Sequence, residues 1–167
     1  MRKIVYVLIG PKGSGKSHVG RLLEKELNIS FLPIEAIFVG LQKTGISTPA
    51  IQEQGYAMVE ARVLEILVTN QAVSFELTVL TPASKNLLTR LGRQTQVELI
   101  QVYAPPDICL IRIRNRDQAS HIEISEERII EINRISASQQ IDVRLQIDTS
   151  QLNEAQILEQ FTAVYGR

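Results

Sequence analysis

Ile4-Val5-Tyr6-Val7-Leu8-Ile9-Gly10-Pro11-Lys12-Gly13-Ser14-Gly15-Lys16-Ser17 decides the reading of this chain. The first six residues form an uninterrupted apolar run of strand length. The last eight fit the pattern G-x-x-x-x-G-K-[ST]. Directly behind them Val19, Leu22, Leu23 and Leu27 recur at helical spacing. Strand, glycine-rich loop and helix, in that order, are the setting in which this pattern cradles the phosphates of a nucleoside triphosphate.

The chemistry accounts for the residue types. Backbone N–H groups must converge on phosphate oxygens, and Gly10, Gly13 and Gly15 keep side chains out of that approach. The helix expected from about Lys16 adds unpaired N–H donors and the positive end of its dipole. Lys16 is expected to reach the β- and γ-phosphates, and the Ser17 hydroxyl to sit on Mg²⁺. Pro11, Lys12, Ser14 and His18 complete the stretch expected to line the nucleotide. Lys12 holds a position that varies freely in the pattern, and His18 also suits solvent.

Composition bounds the rest. At 167 residues the chain suits one compact domain with a sizeable core. Lys+Arg and Asp+Glu number 18 each, which argues against a protein governed by nonspecific attraction to nucleic acid or membrane. The single cysteine, Cys109, has no internal partner and lies in the apolar run Ile108-Cys109-Leu110-Ile111, so a packed thiol is expected. Two histidines and one cysteine assemble no zinc site by spacing. The apolar run after Arg2 and Lys3 leads into the glycine loop, not into a small-residue cleavage site. No run approaches the roughly 18 apolar residues of a membrane span, so a cytoplasmic location is expected.

Strand and helix signals alternate along the remainder. Ser30 to Pro33 reads as a short second strand, and Gly40 to Pro49 as a loop. Pro49 to Thr69 carries Met58, Val59, Val63, Ile66 and Leu67 at helical spacing. Ala72 to Leu77 is a third strand. Thr81-Pro82 opens a helix ending near Leu91-Gly92, with the hydroxyl as cap and proline at the first helical position. Val97 to Tyr103 is a fourth strand, and Pro105-Pro106 starts a helix through about Asn115. Ser125 caps another, with Glu126 and Glu127 suiting its dipole. Val143 to Ile147 is a fifth strand, and a final helix places Ile157, Leu158, Phe161 and Tyr165 on one side. This alternation predicts an α/β domain, a parallel sheet with helices on both faces. Ligands in such sheets bind at the carboxyl ends of the strands. That points to Gly10 onward, Pro33 to Glu35, Glu76 to Thr78, and the segment after Asp148.

Gly13-Ser14-Gly15-Lys16-Ser17 with Val19-Gly20-Arg21 behind it, Val102-Tyr103-Ala104-Pro105-Pro106 after the fourth strand, and Ile147-Asp148-Thr149 at the fifth fall in one familiar order. On these residues the chain resembles the P-loop small-molecule kinases, especially the shikimate-kinase-like group and its nucleoside-monophosphate-kinase relatives. The resemblance covers nearly the whole length. It implies a three-layer P-loop NTPase fold with a five-stranded parallel sheet of order 2-3-1-4-5. It also implies one domain over residues 1–167, with a small lid at about 116–125 over the phosphates. Asp148 to Asn153 stands where that group makes its adenine-contacting loop.

The departures bear on the acceptor. Shikimate kinases carry an Asp-x-Asp pair after the second strand, where this chain has Pro33 and Glu35. They carry phenylalanine and arginine in the next helix, where Tyr56 and Ala57 stand here. Their glycine triplet after the third strand is replaced by Leu77-Thr78-Val79. The nucleotide half resembles the group and the acceptor half does not, which argues against shikimate as substrate.

Phosphoryl transfer needs the acceptor held in line, the metal fixed and the charge on the phosphoryl oxygens neutralised. Glu76 closes the hydrophobic run Ala72-Val73-Ser74-Phe75, as a Walker-B carboxylate does, and is a candidate magnesium-shell or general-base residue; a strand-end salt bridge is the alternative. Glu35, which stands where the resembled group carries an acceptor- or metal-contacting acid, and Thr78, whose hydroxyl also suits its own backbone, are candidates for binding the acceptor. Arg112, Arg114 and Arg116 crowd a helix end, where they also suit its dipole. Arg112 and Arg116, four apart, are expected on one helical face, with Arg114 pointing elsewhere. Arg116, closest to the lid, is the candidate catalytic cation, and Arg112 a nucleotide contact; Arg134 is a further phosphate candidate, and His121 falls in the lid.

These observations point to an ATP- and Mg²⁺-dependent transfer of the γ-phosphoryl group to a small hydroxylated or phosphorylated acceptor, by a monomer or weak dimer. Two other readings stay open. One is a nucleotide-binding regulator or slow NTPase. The other is a nucleic-acid-end kinase, for which only Arg112 to Arg116 hints at the required basic groove. The guanine-reading N-K-x-D is absent, which leaves ATP against GTP undecided.

Overall fold

Period-two alternation along the strands decides which side of the sheet each residue serves. The computed structural model describes residues 2–42, 48–116 and 124–166. Its elements follow in the order β1 (Ile4–Ile9), α1 (Lys16–Leu27), β2 (Ser30–Leu32), α2 (Glu35–Gln42), α3 (Pro49–Thr69), β3 (Ala72–Leu77), α4 (Pro82–Gln94), β4 (Gln96–Tyr103), α5 (Pro106–Asn115), α6 (Glu126–Ser138), β5 (Leu145–Asp148) and α7 (Glu154–Tyr165). The strands pair in parallel in the order β2-β3-β1-β4-β5, as expected for the P-loop NTPase fold.

Tyr6 and Leu8 of β1, Ile100 and Val102 of β4, and Leu145 and Ile147 of β5 face one way. They pack with Val19 and Leu23 of α1 and Ile157 and Phe161 of α7. Val5, Val7 and Ile9, together with Val73, Phe75 and Leu77 of β3, face the other way. They pack with Val59, Val63 and Leu67 of α3 and Leu87 and Leu91 of α4. The result is three layers, helices on sheet on helices. Each fully buried large apolar side chain contributes roughly 1.5–3 kcal/mol.

Local chemistry sets the helix ends. Thr81 and Ser84 exchange bonds in a capping box that starts α4, and Asn153 and Gln156 do the same for α7. Ser125 accepts from the Arg128 N–H at the start of α6. At the far end of α3, the Lys3 ammonium donates to the carbonyls of Leu67, Val68 and Asn70, filling acceptors a helix C-terminus leaves open.

Four expectations need correction. Helix α2 (Glu35–Gln42) runs on through Gly40, where the expected loop was to begin. It is held there by packing, with Phe38 against Tyr56 at 5.1 Å between ring centroids and over Gly55, where a Cβ would fall 2.3 Å from its ring. Helix α4 runs to Gln94, past Gly92. Strand β5 begins at Leu145, because only from there does the ladder with Ile100 form, and Val143 lies before it. Helix α5 ends at Asn115, as expected, but Arg116 is already extended at φ −85° and ψ 157°, off the helical face it was expected to share with Arg112. Of the expected lid at about 116–125, residues 117–123 lie outside the described residues, His121 among them. Cys109 is buried, as expected, and its thiol donates to the Ala104 carbonyl at 3.4 Å. No helix among the described residues is long and apolar enough to cross a membrane.

Candidate active site

Beyond Ile9 the chain leaves the sheet at its carboxyl edge, with the Gly10 N–H donating to the Leu77 carbonyl at 3.1 Å. A Cβ on Gly10 would sit 1.9 Å from the Val102 carbonyl oxygen. Gly13 adopts φ +82°, and a Cβ there would meet the Cys109 carbonyl oxygen at 2.4 Å. Gly15, at φ 95°, is the N-cap of α1 and offers no side-chain cap, and the first turn holds no acid. The caps of α4, α6 and α7 use a side chain on this task. The N-terminus of α1 keeps its donors for something else.

Lys16 is buried, and its ammonium donates to the carbonyls of Gly10 and Pro11, each at 2.8 Å. An ammonium has three donors, so one remains. Burial pushes its pKa down to about 8, against the opposing attraction of Glu76, with Lys12 adding to the depression.

The alternation of β3 explains where Glu76 stands. Val73, Phe75 and Leu77 point to the α3–α4 side, so Ser74 and Glu76 point to the α1 side. Glu76 is the last of these, at the strand's open end. The Ser17 hydroxyl donates to its Oε2 at 2.7 Å.

Lys12 lies in the same electrostatic neighbourhood. Burial lowers its pKa, Glu35 and Glu76 oppose the shift, and Arg116 reinforces it. The structure thus brings together five predicted residues: Lys12, Lys16, Glu35, Glu76 and Arg116. Arg116 Nε is buried and has no hydrogen-bond partner among the described residues.

Arg112 and Arg116 do not share a helical face, because α5 stops between them. Arg112 turns to the loop after β5 instead. Its Nη1 donates to Thr149 Oγ1 at 2.7 Å and to the Gly13 carbonyl at 3.3 Å, and its Nη2 to the Thr149 carbonyl at 3.1 Å. Thr149 Oγ1 in turn donates to the Ser14 carbonyl at 2.6 Å. Gly15, His18, Arg112, Thr149, Leu152 and Ile157 line a cleft beside the loop. His18 is exposed at its rim, 3.3 Å from Glu154. Arg114 points elsewhere, pairing with Glu126 on the surface. Arg134 is exposed.

On the other side, the half-buried Thr78 accepts at its carbonyl from Ser136 Oγ at 2.7 Å. Tyr56 is largely buried, which raises its pKa against hydrogen bonds to Thr81 and Ser84. Two residues escaped the sequence reading of side-chain roles. Thr149, in sequence only part of a strand ending, bonds Arg112 and the Ser14 carbonyl. Asn133, beside the candidate Arg134, bonds both backbone groups of Lys12. Nothing in the sequence sets it apart from the other polar residues of α6.

The donor set fits a polyphosphate and its metal. Ser14 Oγ is buried without a hydrogen-bond partner, inside a loop whose glycines leave no room for side chains. No cluster of three or more metal-ligating side chains exists among the described residues. A Ser17 hydroxyl beside a Glu76 carboxylate matches the sparse protein ligation of Mg²⁺, which takes its remaining ligands from phosphate and water.

Comparison with known proteins agrees with this geometry. The shikimate kinase of Halorhodospira halophila is 33% identical over 115 residues, a match spanning 65% of this chain and 61% of that relative. A sugar kinase from Janibacter superposes with a TM-score of 0.69 at 14% identity, over 98% of this chain and 95% of its own. An APS kinase of Mycobacterium tuberculosis, solved with AMPPNP and APS, gives 0.64 at 13%, over 99% of this chain and 99% of its own. The family model described as an AAA domain matches residues 5–137, from β1 through the glycine loop to α6. With the loop, the strand order and the Ser17–Glu76 pair in place, the chain belongs to the AAA domain family.

Proposed function

We propose that the chain is a P-loop kinase that transfers the γ-phosphoryl group of ATP to a hydroxyl or phosphate of a small acceptor, acting as one domain in the cytoplasm. The observation that carries this reading is the convergence of Lys16, Ser17 and Glu76 at the N-terminus of an α1 left without a side-chain cap. The N–H groups of that helix and the third donor of Lys16 bind the phosphates. Mg²⁺, when bound, neutralises phosphate charge, and Ser17 and Glu76 would hold it. Arg116 approaches from the end of α5 and neutralises charge that develops on the transferring oxygens.

The acceptor enters between Glu35 and Thr78. Its oxygen forms the new bond to phosphorus as the bond to the departing ADP breaks, and its proton passes to a nearby carboxylate, Glu76 or Glu35. The replaced residues at Pro33, Ala57 and Leu77 to Val79 favour an acceptor other than shikimate. A coupled ADP-release assay with Mg²⁺–ATP against a panel of small alcohols, sugars and phosphates tests this, with Lys16→Ala as control. One acceptor should raise turnover in the wild type and not in the variant. Nucleotide binding with no acceptor effect would favour the regulator reading.

A further inference from the structure

Helix α6 carries a polar row that the catalytic reading leaves unused. Asn133, Ser136 and, at the C-terminal cap, Gln139 are spaced three apart and share one side of the helix. Asn133 Oδ1 accepts from the Lys12 N–H at 2.7 Å while its Nδ2 donates to the Lys12 carbonyl at 2.9 Å. Gln139 treats Leu80 in the same way, accepting from its N–H at 2.9 Å and donating to its carbonyl at 3.0 Å. Between them, Ser136 donates to the Thr78 carbonyl. Each amide thus satisfies both backbone groups of a single residue, as a neighbouring strand would.

The two loops so engaged are the two halves of the site. Lys12 belongs to the phosphate loop, and Thr78 and Leu80 follow Glu76 on the acceptor side. Pro11 has no N–H and that of Lys12 is taken by Asn133, so this part of the loop is committed to α6 and not to a ligand. Fixing the Lys12 peptide also fixes where its ammonium leaves the backbone, toward Glu35, Arg116 and Glu76. Apolar contacts slide, whereas paired hydrogen bonds of this kind define distance and orientation. We infer that Asn133 is a positioning residue: with Ser136 and Gln139 it makes α6 a strut that holds the phosphate loop and the acceptor loop at the separation phosphoryl transfer requires. The inference rests on the kinase reading of the same site.

A strut transmits restraint, and that is measurable without an acceptor. Hydrogen exchange is followed in the wild type, Asn133→Ala, Asn133→Asp and Gln139→Ala, with and without MgADP as the probe. In the wild type MgADP should slow exchange both at residues 10–17 and at 78–81. In Asn133→Ala it should still slow 10–17, while protection gained at 78–81 falls on the order of tenfold, the scale of a lost hydrogen bond. Gln139→Ala should do the same from the other end and keeps the test open if the Asn133 variant folds poorly. Asn133→Asp, which keeps the acceptor for the Lys12 N–H, should recover part of the effect. Once an acceptor is found, turnover in Asn133→Ala should fall about tenfold with MgADP affinity held within about threefold. Unchanged protection at 78–81 in both alanine variants overturns the strut, since the Gly10–Leu77 bond would then suffice. A wild type in which 10–17 is protected and 78–81 is not overturns it too. A wild type with no protection at 10–17 overturns the nucleotide reading beneath it.

Discussion

The Ser17 hydroxyl donates a 2.7 Å hydrogen bond to the Glu76 carboxylate, joining residues 59 positions apart across the first turn of α1 and the end of β3. Both belong to the proposed metal site, so the two should fail differently from the loop itself. Glu76→Gln should lower Mg²⁺-dependent turnover by about a hundredfold or more. Binding of ATP measured in EDTA should stay within about threefold. Titration calorimetry with and without Mg²⁺ reads the difference, and equal losses in both would assign Glu76 to folding of the loop instead.

Lys16 gives a pH prediction of definite sign. Burial, partly opposed by Glu76, holds its pKa at about 8 against 10.5 for an ordinary lysine. Between those values the unfolded chain binds more protons than the folded one, so this group's contribution to stability rises with pH across that window. Below about pH 8 the cost of burying the charge is present in full. Phosphates beside the ammonium favour its charged form. Nucleotide binding above about pH 8 should therefore take up part of a proton. Calorimetry in two buffers of different ionisation enthalpy measures it, and the uptake should vanish in Lys16→Ala.

Arg112 should matter through its fork. Its three bonds tie α5 to Gly13 and to Thr149, so Arg112→Ala should cost about 2 kcal/mol of stability. Arg112→Lys keeps the charge and loses the planar geometry, and should recover less than half of that. Urea denaturation of the two variants decides; full recovery by lysine would mean that charge alone is used.

Two glycines should respond in opposite directions. Gly13→Ala combines φ +82° with a backbone oxygen 2.4 Å from the new carbon, and should cost more than about 2 kcal/mol. Gly92 lies inside α4 with open space around it, so Gly92→Ala should stabilise by about 0.5–1 kcal/mol. Parallel denaturation curves check both.

Elements with strong periodicity were legible in advance. The apolar residues of α3 recur every four positions at Val59, Val63 and Leu67, and its expected bounds match the observed ones. Helix α2 was hidden because Ile37, Phe38 and Val39 are consecutive and poor helix formers, and its helicity comes from packing on Tyr56. The glycine loop announced the nucleotide half, since its chemistry restricts residue types within eight positions. Asn133 announced nothing, because its partner lies 121 residues away and any short polar residue would look the same. The arginines mislead by a single residue: the helix is expected to end at about Asn115, yet spacing alone counts Arg116 on the face of Arg112, and one extended residue sends it off that face.

Around the loop, Lys12, Lys16 and Arg116 face Glu35 and Glu76, an excess of one positive charge within a chain whose total is zero. A neutral chain casts little field beyond about 8–10 Å in physiological salt. The arrival of an anion at this site should then depend little on ionic strength, because nothing draws it in from a distance. Its departure is another matter, since under the proposed reading a bound polyphosphate must break with both Lys16 and Arg116. Salt should shorten residence far more than it slows capture.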